Sequence, residues 1–280
     1  MIKYVDLFKY VSAMQAPLSD YAFSEGPNDE VLYHDGENSV NREEMKTLGT
    51  DEEVDNAVID ALAHILNTKG KKHSIYFSTM TYLIVCTDMG KSVNTTKEVR
   101  HEKFAERLNY EMTNSGITNI KKYREFFFPV PAFKHFYLLC INIYNGTIDL
   151  IDNRKLPMNV KESTKYEDNP QKMLEALAYF MRTKDYTGSD IARVLSFKTN
   201  LIKMKWRSNL DHKNCGVYVM KHMETYTTEP LVEWNCDLKA NNVDQIRKLR
   251  VQYCSEIILS RTKKEGYRVK MAARRRMEEN

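Results

Sequence analysis

The chain has 280 residues, 42% of them hydrophobic and 29% charged, with a formal net charge of +4. That length allows one large domain or two small ones, with enough surface to bury a core. A mean hydropathy of −0.56 and no run of about 18 apolar residues speak against a transmembrane helix, and residues 1–6 lack a secretory apolar region.

Five cysteines, Cys86, Cys140, Cys215, Cys236 and Cys254, are odd in number, widely spaced and free of any CxxC. This argues against a disulfide framework or a zinc site and for a reducing nuclear or cytosolic setting. No metal or organic cofactor is implied. Four of the five lie among apolar neighbours, as buried small hydrophobes do; Cys215 instead follows a polar loop.

Residues 1–40 carry turn signals at Gln15-Ala16-Pro17, Gly26-Pro27-Asn28-Asp29 and Asp35-Gly36, and an irregular N-terminal extension is expected there. Thr50-Asp51-Glu52-Glu53 has the form of a capping box, with Thr50 as N-cap and Glu53 at the third helical position. Val54, Val58, Ala61, Leu62 and Ile65 then share one face, which predicts a helix over 51–66. Residues 73–86 are rich in Ile, Tyr, Phe and Val and predict a strand; 97–112 predict a helix. Phe126 to Pro131 suggests a strand edge or loop, because proline removes a ladder donor.

Residues 135–143 are apolar on both faces, as a central buried strand requires. Tyr144-Asn145-Gly146-Thr147 is the strongest hairpin signal, with residues 148–151 as the returning strand. Asp168-Asn169-Pro170 opens a helix to about Met181. A short strand is predicted at 201–206, a helix from Cys215 and a last helix over 243–259. Residues 261–276 hold Arg261, Lys263, Lys264, Arg268, Lys270, Arg274, Arg275 and Arg276. They form either a solvated terminal helix or a basic patch for nuclear import or nucleic acid. The whole predicts one α+β domain over 41–260, with the extension before it and the basic tail, 261–280, after it.

The chemistry centres on Asn214-Cys215-Gly216-Val217. A thiol that opens a helix sits at the positive end of the helix dipole, which favours the thiolate. A cysteine nucleophile needs a base and a group to orient that base. Upstream, His135-Phe136 opens one strand and Leu150-Ile151-Asp152-Asn153 closes the next. A two-residue turn at Asn145-Gly146 would set Leu139 opposite Asp152. His135 would then lie on the same face as Asp152 but four residues away, roughly 13 Å at ~3.3 Å per residue. A longer turn, a bulge or strong twist is needed to join them. Taken singly, a histidine at a strand start, an aspartate before Asn and a Cys-Gly pair are more often structural.

Together these segments resemble the ubiquitin-like-protein-specific cysteine proteases (the SUMO protease, or Ulp-like, family), above all its plant and transposon-associated branches. The resemblance rests on His135-Phe136, Leu150-Ile151-Asp152-Asn153, Asn214-Cys215-Gly216 with the helix to Tyr226, and Val58-Ile59-Asp60-Ala61, in order over about residues 50–260. It implies a papain-like α+β fold with a central mixed sheet flanked by helices. It implies cleavage after the C-terminal Gly-Gly of SUMO or another ubiquitin-like protein, in maturation or release from its conjugates. By resemblance, Cys215 is the nucleophile, His135 the base and Asp152 its orienter. Asn209 stands where the family has an oxyanion-donating glutamine, and Phe136 and Gly216 border the substrate. Asn209 is one methylene shorter than glutamine, Glu53 stands near the position of an expected tryptophan, and Asn214 replaces the usual aspartate before the cysteine.

The nucleus is the expected compartment, the cytoplasm the alternative; no membrane partner is implied, and nucleic acid only through the basic tail. Competing functions are a protease-fold module that binds a ubiquitin-like protein with little turnover, a nucleic-acid-associated accessory protein, and an acyltransferase of the same fold.

Overall fold

The computed structural model describes residues 15–36, 38–49, 52–87, 96–132, 134–156, 158–208, 213–227, 234–260 and 265–279. Residues 15–49 are regular rather than the irregular lead-in expected from their turn signals. They form α1 (Gln15–Phe23), an antiparallel pair β1 (Val31–His34) and β2 (Ser39–Asn41), and α2 (Arg42–Lys46). α1 buries Leu18, Ala22 and Phe23. Buried Arg42 ties the unit together through Glu30 and the carbonyls of Tyr21 and Ala22. These partners lie 12 to 21 residues away, beyond the range of a local pattern.

The next helix, α3 (Asn56–Lys69), starts five residues later than the capping-box reading. Asp55, not Thr50, is the N-cap, its carboxylate accepting from the Ala57 N–H at 2.8 Å. Thr50 and Asp51 lie outside the described residues, and Glu53 sits exposed ahead of the helix. The strand predicted over 73–86 is only β3 (Ser74–Tyr76); the rest is α4 (Thr79–Cys86). Tertiary capping overrides its β-branched composition. Asp60 accepts from the Thr79 N–H (2.7 Å) and hydroxyl (3.0 Å), while Glu111 accepts from the Ser78 N–H (2.9 Å). Two carboxylates thus meet the orphan donors of the α4 N-terminus. Glu111 comes from α5 (Lys97–Asn114), as predicted within two residues.

β4 (Glu125–Ala132) is not an edge. It lies between β3, to which it is parallel, and β5 (His135–Asn142), to which it is antiparallel. Its prolines are tolerated because β3 pairs only with residues 125–127. Phe127 gives its carbonyl to Phe77 on the β3 side. Pro129 and Pro131 share its parity, so their missing donors face the space beyond the end of β3. β6 (Thr147–Ile151) pairs antiparallel with β5, and β7 (Lys198–Leu201) parallel with β6, closing a sheet of order β3-β4-β5-β6-β7. β7 overlaps the predicted strand 201–206 only at Leu201.

Between β6 and β7 run α6 (Glu162–Tyr166), α7 (Asn169–Arg182) and α8 (Gly188–Leu195); α9 (Cys215–Thr225), α10 (Val243–Leu259) and α11 (Glu265–Glu279) complete the chain. The sheet divides two apolar layers. Phe127, Leu138, Cys140 and Ile151 pack with α3, α9 and α10. Phe126, Phe128, Leu139, Ile141 and Leu150 pack with α4, α5, α7 and α8. Residues 265–279, expected as a tail, form a helix that buries Val269 and Ala273, and its Arg268 bonds Glu30 at 2.6 Å. No helix among the described residues is long and apolar enough to cross a membrane.

Candidate active site

β5 begins at His135, which pairs with Ala132 at the end of β4, and Lys134 takes a φ of 55°. The β5–β6 register pairs Asn142 with Thr147 and Leu138 with Ile151. The turn is therefore residues 143–146, not Asn145-Gly146 alone. Asn142 drives this: its carbonyl accepts from the Gly146 N–H at 3.0 Å, its side chain from the Asn145 N–H at 2.9 Å. Gly146, at φ 70°, supplies the left-handed residue. The longer turn moves Asp152 opposite Tyr137, two residues from His135 instead of four, about 7 Å along the strand. The side chains close that diagonal, and His135 Nε2 lies 2.8 Å from Asp152 Oδ1.

Asp152 is fully buried, and four donors surround its carboxylate. Oδ1 takes His135 Nε2 and the Arg154 N–H (2.8 Å); Oδ2 takes Lys165 Nζ (2.6 Å) and the Tyr166 hydroxyl (2.9 Å). Burial alone would raise its pKa, but His135 and Lys165 outweigh this and hold it far below the usual carboxylate range. An ionised Asp152 can only accept, so His135 Nε2 carries the proton and Nδ1 keeps a lone pair. Nδ1 has no hydrogen-bond partner among the described residues. Burial lowers the imidazole pKa, and Asp152 offsets this only in part. The ring is neutral near pH 7, oriented by one nitrogen and basic at the other.

Cys215 is the first residue of α9, as predicted. Its surroundings overturn the expected drop in thiol pKa. The side chain is fully buried, and burial pushes the thiol up; Glu53 adds to this. The Phe136 and Gly216 backbone N–H groups and the Arg154 charge favour the thiolate but do not outweigh it. Phe136 follows His135 directly, so its contact with the sulfur sets the α9 N-terminus against the start of β5. Phe136 itself is 7% exposed and packs in the same layer as Cys215.

Asn214 is the N-cap residue of α9, but its side chain makes no capping hydrogen bond. Its Oδ1 accepts instead from buried Arg250, at 2.8 Å from Nε. Arg250 also reaches the carbonyls of Thr47, Glu52 and Lys213, and so fastens the cysteine loop to α10 and to the strand of chain before α3. A Cβ on Gly216 would stand 2.7 Å from Val54 Cβ. Glycine is needed there for that segment to approach α9, and this close approach holds Glu53 near the thiol. Asn209 lies outside the described residues.

Lys165, Tyr166, Arg154 and Arg250 were not singled out from the sequence. Arg250 closely follows two other cations, Arg247 and Lys248, in the sequence, and Lys165-Tyr166 falls in a stretch without periodicity, so neither carried a signal. Cys86, Cys140, Cys236 and Cys254 have thiols raised by burial. Trp206 is buried and donates to His222 Nε2 at 3.1 Å, a packing role. Among the described residues no group of three His, Cys, Asp or Glu could hold a metal ion.

A sequence profile described as the Ulp1 protease family, C-terminal catalytic domain, matches residues 51–262. The chain belongs to the Ulp1 protease family. This is a family of cysteine peptidases. Residues 15–49 and α11 lie outside the match. The fold is similar to that of a solved C-terminal Ulp1 protease domain in complex with Smt3, the yeast ortholog of SUMO. The TM-score is 0.61 at 16% identity, over 88% of this chain and 95% of that one. A SUMO protease Ulp1 with its catalytic cysteine oxidised to a sulfenic acid also gives 0.61, at 15% identity, over 90% and 96%. The Ulp1-like SUMO protease catalytic domain of Chaetomium thermophilum gives 0.51, at 10% identity, over 91% and 92%. No curated protein matches the chain.

Proposed function

We propose that this Ulp1-family domain cleaves after the C-terminal Gly-Gly of a ubiquitin-like modifier, with SUMO the first candidate, to mature it or release it from a lysine. The observation that carries this reading is the buried His135–Asp152 pair, whose Nδ1 has no hydrogen-bond partner among the described residues and belongs to the residue next to the one that contacts the Cys215 sulfur. In the reaction, Nδ1 takes the thiol proton as sulfur attacks the glycine carbonyl carbon. The resulting imidazolium protonates the departing amine as the C–N bond breaks, leaving a thioester. Nδ1 then takes a proton from water, whose oxygen attacks the thioester, and returns it to the departing sulfur. The Gly216 N–H and the other orphan donors at the α9 N-terminus face the charge that develops there. Asn209 is the proposed side-chain donor, and Phe136 and Gly216 the proposed borders of the Gly-Gly channel. The Smt3 complex of a similar fold supports the partner class. The nucleus is the proposed compartment.

A second reading, a module that binds a ubiquitin-like protein with little turnover, is favoured by the full burial of Cys215 and by Glu53 beside it. Covalent labelling by SUMO and ubiquitin probes with C-terminal electrophiles separates the two. The peptidase reading expects an adduct with one modifier, abolished by Cys215→Ala, at least tenfold slower in His135→Ala, and faster in Asn209→Gln. Folded protein that forms no adduct but retains the modifier on a column supports the binding module.

A further inference from the structure

The Asp152 carboxylate has two sides, and the proposed triad uses one. On the other, α6 presents two consecutive side chains to Oδ2: Lys165 Nζ at 2.6 Å and the Tyr166 hydroxyl at 2.9 Å. Asp152 is fully buried, while the Lys165 side chain keeps 19% of its exposure, so an ammonium that could remain in water is drawn onto a buried anion. Tyr166 is itself buried, edge-on to Tyr137 with ring centres 5.2 Å apart. Tyr137 is the residue opposite Asp152 in the extended β5–β6 register. The residue that follows, Glu167, has φ 51° and ψ −140°, a left-handed φ that a non-glycine residue keeps only where its surroundings impose it. A one-turn helix with no side-chain cap is thus held in place against local strain, with two of its side chains on a single carboxylate.

We propose that Lys165 and Tyr166 are positioning residues that hold Asp152 from behind, so that Oδ1 orients the His135 ring and the net charge felt by that ring stays near zero. Asp152 and Lys165 together present the imidazole with an anion already partly neutralised. Without Lys165, the Asp152 charge would act on the imidazole undiminished and favour the imidazolium. Without the Tyr166 hydroxyl, the same carboxylate would rely more on Nε2. The other groups that face the pair are Arg154, whose N–H shares Oδ1 and whose charge also opposes the imidazolium, and the neutral Cys215 thiol. The inference deepens the proposed peptidase reading but is tested apart from it.

The test is an NMR titration of the His135 ring in the Cys215→Ala protein, with the signal assigned by its loss in His135→Ala. Lys165→Met should raise the His135 pKa by about one unit, and Lys165→Arg, which keeps the charge, should leave it within about 0.3 of the parent. Tyr166→Phe should raise it by a smaller step of about 0.3 to 0.5. A His135 pKa unchanged in folded Lys165→Met overturns the proposal. Should that variant fail to fold, an unchanged value in Tyr166→Phe does so. Failure of the parent protein to react with any modifier probe would sink the peptidase reading while leaving these titrations, which need no substrate, to decide the positioning role.

Discussion

Replacing Gly216 by alanine tests the packing that sets the cysteine helix against the chain before α3. The new Cβ would lie 2.7 Å from Val54 Cβ, 3.1 Å from Val54 Cγ2 and 3.4 Å from Ile59 Cδ1. Non-bonded carbons rest at about 3.5–4.0 Å, so about 1 Å of separation must be found. Val54 Cβ is fixed to the backbone and 2% exposed, so no rotamer change can supply it. Either the segment that carries Glu53 and Val54 moves or α9 does. Overpacking of this kind costs about 1–3 kcal/mol, offset by at most about 1 kcal/mol from the better helix propensity of alanine. Gly216→Ala should therefore lose about 1–2 kcal/mol in urea unfolding, and probe labelling of Cys215 should slow. Val54→Ala keeps the offending Cβ and should not rescue the variant. Val54→Gly removes it, so in a double-mutant cycle Gly216→Ala should cost less on that background. A Gly216→Ala protein as stable as the parent, with unchanged labelling, would refute the argument.

Four further outcomes follow from other contacts. Asn214→Asp places a carboxylate on Arg250 and should raise stability by about 1 kcal/mol, while an anion beside Cys215 slows its alkylation; an unfolding midpoint that falls would contradict the clamp. Asp152→Asn replaces the anion with a group that can also donate, so Nε2 need no longer carry the proton; labelling should fall about 100-fold or more, and a near-parental rate would remove Asp152 from the mechanism. Asp60 has a pKa pushed up to about 7 by burial and by neighbouring Glu111, against the Thr79 hydrogen bonds. The folded state thus holds this proton more tightly than the unfolded chain, and its contribution to stability declines as pH rises from about 4 to 7; Asp60→Asn should flatten that decline in urea midpoints measured across the range, and an unaltered slope would exclude Asp60. Deleting residues 265–280 uncovers the surface under Val269 and Ala273 and removes the Arg268–Glu30 bond; the midpoint should drop, and an unchanged one would show α11 to be dispensable.

Parts of the site were legible because their signals are local. Cys215 follows a polar loop and opens an apolar helix, and His135 opens a strand that is apolar on both faces. Even the failure of the simple hairpin register was informative, since it required the longer turn that Asn142 builds. The capping box failed for a local reason as well: Asp55 lies closer to the periodic residues than Thr50 and competes for the same role. By contrast, the helix at Thr79–Cys86 has the composition of a strand, and only Asp60 and Glu111, 19 and 33 residues away, decide otherwise.

The sequence by itself determined the class of chemistry, the family and the order of the three candidate groups, because side-chain identity and periodicity are carried by neighbours along the chain. Tertiary structure alone decided the rest. It set the protonation tendencies of the site, since burial outweighs the backbone donors and the Arg154 charge at Cys215, while His135 and Lys165 outweigh burial at Asp152. It recruited Lys165, Tyr166 and Arg250, whose roles exist only when distant segments meet. It also turned residues 15–49 and 265–279 into packed elements, because their apolar faces are too short to register as a pattern and are covered by each other and by α3 and α10.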